Sequence, residues 1–414
     1  MTTIPAAGPP KAGRWEMFSA LRHANFRMYW FGQLSSVMGQ NMQYVAQAWL
    51  VLDLTGSPLL LGLTGLANAI PSIGFSLLGG TLADRMDRRR LLRITQGAQI
   101  ILYGVLGTLA VTNLVQVWHV MAFAFLAGLC RAFDQPARQA IVPQVVPPEV
   151  RPQALALSNT IWQFSRLVGP ALAGALLAFW GTGPTFYVAS IGFLVFFLLM
   201  FRIRLYEGSG GSRRSGLGNE LVEGLRFIRG NQLVYTLIGL TFFNSVFGMS
   251  YSLMLPVIAR EVLGVGSIGY GMLQTVGAVG ALAGTLGVAY MAETGRRGMQ
   301  ALGGATLFGL LLIAFAYSQW YPVSMGLILL LGIANQLYMT TVYTVLQMHV
   351  PDELRGRVMG VYGLTWSMTP FGGTIGGTIA EFAGVQAAVA FGGFMVASMA
   401  IAVAVWLPRV RRIQ

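Results

Sequence analysis

Val146-Pro-Pro-Glu-Val-Arg151 (VPPEVR) returns 204 positions later as Val350-Pro-Asp-Glu-Leu-Arg355 (VPDELR). The same offset lays Gly128 on Gly332, Trp162 on Trp366 and Gly169 on Gly373. A shared offset at four separate places says that the chain is built from two related halves. Around these anchors, apolar runs occupy approximately 26–52, 58–82, 91–112, 117–145, 152–180, 184–201, 232–259, 266–291, 300–318, 321–348, 356–380 and 384–407. A helix crossing a bilayer needs roughly 20 apolar residues, set by a hydrocarbon core of about 30 Å and a rise of about 1.5 Å per residue. Barrel strands would need strict alternation, and Ile191–Met200 (IGFLVFFLLM) does not alternate. The expected fold is therefore an all-α membrane protein. It should have 12 transmembrane helices in two pseudo-symmetric six-helix halves: residues 1–205, then a linker over 206–230, then 231–414.

Composition agrees. Of 414 residues, 55% are hydrophobic and 10% are charged, against about 25% charged in a typical soluble domain. Too little charge is present to coat a soluble protein of this size. The formal charge of +13 would suggest a nucleic-acid partner in a soluble chain. Here it reads as the Lys/Arg excess of cytoplasmic loops, with the lipid bilayer as the partner. Lys11, Arg85, Arg88, Arg89, Arg90, Arg138, Arg151, Arg213, Arg214, Arg355 and Arg357 gather on one side. Arg260 stands alone on the other, beside Asp53, Glu261 and Glu381. Both termini are expected in the cytoplasm. The opening Met1–Lys11 reads as a short tail rather than a cleavable signal. The single Cys130 forms no internal disulfide and no CxxC metal pair. Tyr206–Asn219 (YEGSGGSRRSGLGN) has linker composition. Leu217, Leu221, Leu225 and Ile228 then share one face of an amphipathic helix expected at the interface.

Between the second and third runs stands Gly79-Gly80-Thr-Leu-Ala-Asp84-Arg85-Met-Asp87-Arg88-Arg89-Arg90. It resembles the cytoplasmic loop signature of the major facilitator superfamily, with Gly80, Asp84, Arg85, Arg88 and Arg89 on its positions. Asp87 takes the place of a usual glycine. Gly169-Pro170-Ala-Leu-Ala-Gly174 resembles the antiporter motif of that superfamily, Ala173 replacing one glycine. Asn25–Gln33, Gln47–Val51, Leu54–Pro58 and Phe133–Arg138 resemble the branch containing the bacterial enterobactin exporter and macrolide-efflux proteins. The resemblance implies a secondary active transporter of the bacterial inner membrane that exports a drug-like or siderophore-like compound, with protons as coupling ion. An importer or lipid flippase on the same fold, or a non-transporting receptor, are the alternatives.

Ionisable residues within spans are costly and usually face a cavity or a partner. Arg131, Asp134, Arg138 and Arg166 are of this kind. Arg131 and Asp134, three apart, share a helical face, and Arg166 is a candidate for the central cavity. Gln33, Gln40, Gln43 and Gln47 form a polar stripe along the first span. With Trp162, Asn244, Tyr251, Asn335 and Trp366 they are the candidate substrate path, an aromatic and amide lining suited to an amphiphilic ligand. A cytoplasmic latch is expected when the inner mouth closes. In it Arg88 meets Asp134, and Asp84 sits near the N-terminus of the eleventh span, around Arg357–Gly360, where unpaired N–H groups and the dipole favour a carboxylate. The alternative is that Asp134 pairs with Arg131 or Arg138 and never meets the loop. His23, His119 and His349 are scattered, and no GxxxxGK[ST] loop exists. No enzyme, cofactor or metal is expected, and residues 203–230 are too few for an ATP-binding domain.

Overall fold

The computed structural model describes residues 16–206, 217–291 and 297–411. The expected tail to Lys11, the linker residues 207–216 and the side chains of Asp84 and Arg85 lie outside the described residues.

The described chain is helical. In order it forms α1 (Ala24–Thr55), α2 (Pro58–Gly74), α3 (Ser76–Arg85), α4 (Arg88–Val111), α5 (Val117–Ile141), α6 (Arg151–Trp180) and α7 (Thr182–Arg202). After the linker come α8 (Leu217–Gly230), α9 (Gln232–Phe243), α10 (Tyr251–Val257), α11 (Gly266–Met291) and α12 (Arg297–Ala316). Then follow α13 (Tyr321–His349), α14 (Asp352–Trp366), α15 (Thr369–Ala383), α16 (Val385–Trp406) and the short α17 (Pro408–Arg411). Among the described residues nine helices are long and apolar enough to cross a membrane. The remaining three apolar runs are α1, diluted by its amides, and the two-piece runs α2–α3 and α14–α15. Large apolar side chains face outward along the bundle, including Ile101, Phe179, Leu286 and Trp406. In water that surface would be unstable; in lipid it is the matching one.

Local chemistry sets the breaks. Ser57 caps α2 by accepting from the amide of Leu60, with Pro58 in the first turn. Asp87 caps α4 by accepting from the amide of Arg89 at 2.8 Å. The residue that departs from the signature glycine thus has a helix-starting role. The stretch expected as a loop is mostly helical: α3 runs to Arg85, and only Met86 and Asp87 separate it from α4. Pro370 has no N–H to offer the carbonyl of Trp366, and the Thr369 hydroxyl donates to that oxygen instead, at 3.1 Å. The break between α14 and α15 falls there. Asn244–Gly248 forms a π-turn between α9 and α10, a local defect common at functional sites.

The internal repeat reappears in the packing. A Cβ at Gly128 would run into the carbonyl of Asn68, across α5 and α2. Its repeat mate Gly332 stands in the same relation to Gly277, across α13 and α11. Close approach of backbones through small residues is how membrane helices gain packing where hydrophobicity alone supplies little.

The candidate transport path

The two halves meet most tightly at the end carrying Asp53 and Glu381. Arg260 Nη1 pairs with Asp53 Oδ1 at 2.9 Å, both side chains 43% exposed. The Ser57 hydroxyl donates to Glu381 Oε2 at 2.7 Å. Two helix pairs form the seam, α2 against α15 and α6 against α11. Thr374 Oγ1 donates to the carbonyl of Gly62 at 3.3 Å and Thr275 Oγ1 to that of Leu167 at 2.9 Å. Ser267 Oγ donates to the carbonyl of Gly174 at 3.1 Å, and Trp49 stacks on Tyr270. A Cβ at position 174 would lie 2.5 Å from the Ser267 carbonyl oxygen. Glycine is required there by proximity. Of the antiporter-like motif, Gly169 abuts Asn41 of α1, Pro170 lies against Gly271, and Gly174 closes the seam.

Below the seam lies a cavity of about 180 Å³, lined by Asn41, Arg166, Pro170, Tyr251, Gln274, Asn335 and Trp366 among others. Trp366, at the break in the eleventh run, also lines a second cavity of about 640 Å³ between α2 and α5 on one side and α14 and α15 on the other. Arg131, Gln135 and Gln139 border this larger space. Gln135 and Gln139 in turn border a smaller recess of about 120 Å³ with Gln33, Arg138 and Trp162. The cavities thus form a vestibule leading from the seam toward the arginine-rich end.

The sequence-derived candidates divide accordingly. Arg166, Tyr251, Asn335 and Trp366 come together in one cavity. Asn244 is buried and lies behind it, donating from Nδ2 to Asn335 Oδ1 at 3.2 Å. Gln43 and Gln47 do not line the cavity: both are buried and hydrogen-bonded to each other. Gln40 is absent from the lining too. The residue that α1 contributes is Asn41, one step round the helix from the stripe. Trp162 lies in the outer recess, away from Arg166.

Asp134 takes part in a buried network, and its partner is Arg138 on its own helix, the alternative to the expected latch, rather than Arg88 or Arg131. Its Oδ1 accepts from Thr95 Oγ1 at 3.0 Å and Gln96 Nε2 at 2.7 Å, and Oδ2 is paired with Arg138. Arg138 also donates to Ser36 Oγ at 2.7 Å and lies over the Phe196 ring. One carboxylate thereby ties α1, α4 and α5 together. Arg131 instead stacks on Tyr44, its guanidinium carbon 4.7 Å from the ring centroid.

Arg88 donates to the carbonyl of Ala140 at 3.0 Å, and Arg89 to that of Ile203 at 2.6 Å. Both clamp carbonyls at helix C-terminal ends, where a cation suits the dipole. In this conformation Arg88 does not meet Asp134. Arg357–Gly360 is also no helix N-terminus: α14 starts at Asp352, so those amides are already bonded within the helix. Arg357 pairs with Glu223 of α8 at 2.6 Å. It is Gly79, whose Cβ would strike the carbonyl of Ala132, that packs α3 on α5; Gly80 has open space around it.

Two sets of helices closed at one end around a polar vestibule define the class. The protein is a secondary transporter of the major facilitator superfamily, not an enzyme. More narrowly, residues 16–414 match the transmembrane secretion effector family, and the chain belongs to that family. It is similar to the multidrug efflux pump Tap of Mycolicibacterium fortuitum, 27% identical over 398 residues, covering 92% of this chain and 95% of the relative. It is also similar to the staphyloferrin A transporter of Staphylococcus aureus, 26% identical, covering 84% and 87% of the two chains. Among solved structures, a bacterial homologue of the human lysosomal transporter Spinster, in an inward-facing and occupied conformation, superposes with a TM-score of 0.73. That match is 15% identical and covers 96% of this chain and 99% of the other. It shares the fold.

Proposed function

We propose that this protein exports a small organic compound across the bacterial inner membrane by alternating access, in exchange for protons. The observation that carries the reading is the vestibule that ends at the α6–α11 and α2–α15 seam and widens toward the arginine-rich end. On the positive-inside pattern the arginine-rich end and both termini are cytoplasmic, so the site in this conformation loads from the cytoplasm. The names of the relatives, an efflux pump and a siderophore transporter, point the same way. The stretch between α7 and α9 spans about thirty residues, far short of the one hundred or more of a typical domain, so no nucleotide-binding domain is inserted there, which supports a gradient as the energy source. In the opposite conformation the Gly80–Arg89 segment is the proposed gate.

Staphyloferrin A supplied to cells that overproduce the protein or lack it tests the reading. Overproducing cells should retain less compound, and an uncoupler should abolish the difference. Greater retention on overproduction would instead mean import.

A further inference from the structure

We infer that the compound carried through the vestibule is a carboxylate-bearing organic anion, recognised by Arg166 and Arg131. This rests on the transport reading and specifies its substrate class.

Arg166 lines the upper cavity and Arg131 the lower one, and Trp366 borders both. Neither lining contains an aspartate or a glutamate. Arg166 is exposed to the cavity and forms no ion pair among the described residues. Asp134, one turn from Arg131, has both oxygens engaged by Thr95, Gln96 and Arg138. Arg131 rests on Tyr44, and its Nε has no hydrogen-bond partner. A guanidinium at membrane depth is costly unless water or a counter-charge meets it, and here two lack a bonded carboxylate along one path.

The amides reinforce the sign. Asn335 Oδ1 is occupied by the donor from Asn244, so the Asn335 side chain has its NH₂ to offer. Asn41, whose Nδ2 donates to the carbonyl of Val37, and Gln274 line the same space, but an amide carbonyl dipole is a weak partner for a full positive charge beside an unpaired arginine. A carboxylate would accept two parallel bonds from a guanidinium. Met249, Tyr251, Leu255 and Trp366 supply apolar and aromatic walls for the rest of the molecule. A cation entering this path would meet two like charges and no acid.

The test is a charge series on one ring: naphthaleneacetate, naphthaleneacetamide and naphthylmethylammonium. Binding is measured by titration calorimetry on the full chain in nanodiscs of neutral lipid. The acetate is expected to bind at least tenfold more tightly than the ammonium, about 1.4 kcal/mol, with the amide between. Replacing both arginines, Arg166→Gln with Arg131→Gln, should erase the preference, and Arg166→Lys alone should keep part of it. An ammonium that binds as tightly as the acetate, a preference that survives the double glutamine variant, or no detectable acetate binding would each overturn the proposal. The wild-type series alone decides the charge question if the glutamine variant does not fold. Because equilibrium binding has no direction, acetate binding without directional movement in vesicles would count against export alone.

Discussion

Gly174→Ala is the sharpest perturbation of the closed seam. The new methyl would sit 2.5 Å from the Ser267 carbonyl oxygen and 3.2 Å from the Gly271 Cα. Ordinary carbon contacts begin near 3.5 Å, so α6 and α11 must separate by about 1 Å. That movement also stretches the 3.1 Å hydrogen bond from Ser267 to Gly174. Overpacking of this kind costs about 1–3 kcal/mol. At about 1.4 kcal/mol per factor of ten, the closed arrangement loses population by roughly fivefold to 150-fold relative to one in which the helices are apart. Cysteines at Ser57 and Glu381, whose side chains now touch at 2.7 Å, report closure on the other helix pair. In a Cys130→Ala background, a short bifunctional reagent should cross-link them at least fivefold more slowly once Gly174→Ala is added. An unchanged rate, with the protein folded and at normal level, would refute the reasoning that the α6–α11 contact helps to keep the seam closed at the α2–α15 pair.

Arg138→Leu should sharply lower the amount of folded protein, by about 3–5 kcal/mol, because it strands the buried Asp134 carboxylate. Adding Asp134→Leu should restore much of it, as read by thermal unfolding; no restoration would mean the pair is not the main cost. The Asp53–Arg260 pair is 43% exposed on each side, so Asp53→Asn should change the same cross-linking rate by less than about fivefold, the worth of an exposed ion pair. Abolition of closure by that one change would contradict this estimate. A cysteine at Ser212 should resist an impermeant thiol reagent in intact cells, whereas one at Asp53 should react; equal labelling would reverse the proposed topology.

Fold and repeat were legible because both rest on local composition and on offset, and neither needs a neighbour. The apolar runs around Ile191–Met200 had only one place to be stable, and the VPPEVR/VPDELR echo marked the halves. The site was legible in part. Arg166 and Trp366 stood out because charge and indole are conspicuous within apolar spans. The glutamine stripe misled by one helical step: sequence reveals that Gln43 and Gln47 share a face, but the packing of α6 on α1 through Gly169 decides that Asn41 faces the cavity. Asp134 had three arginines within reach, and the Thr95 hydroxyl and Gln96 amide donors on another helix are what position it toward Arg138. The latch contact at Arg357–Gly360 misplaced the start of α14, which Pro351 and the acidic Asp352 and Glu353 mark as an earlier helix beginning. Contacts such as Ser267 on Gly174 and Arg260 on Asp53 join residues 93 and 207 positions apart. Small residues hinted at close packing, yet nothing local could say which helices they would join.

Directional movement is the most direct test of export. Everted membrane vesicles from cells overproducing the protein, energised by respiration, present the cytoplasmic face to the medium. Radiolabelled naphthaleneacetate and staphyloferrin A are offered to these vesicles and to right-side-out vesicles from the same cells. Accumulation is expected in the everted vesicles only, collapsing when an uncoupler dissipates the proton gradient and absent from vesicles lacking the protein. Accumulation confined to right-side-out vesicles, or accumulation indifferent to the uncoupler, would contradict proton-coupled export.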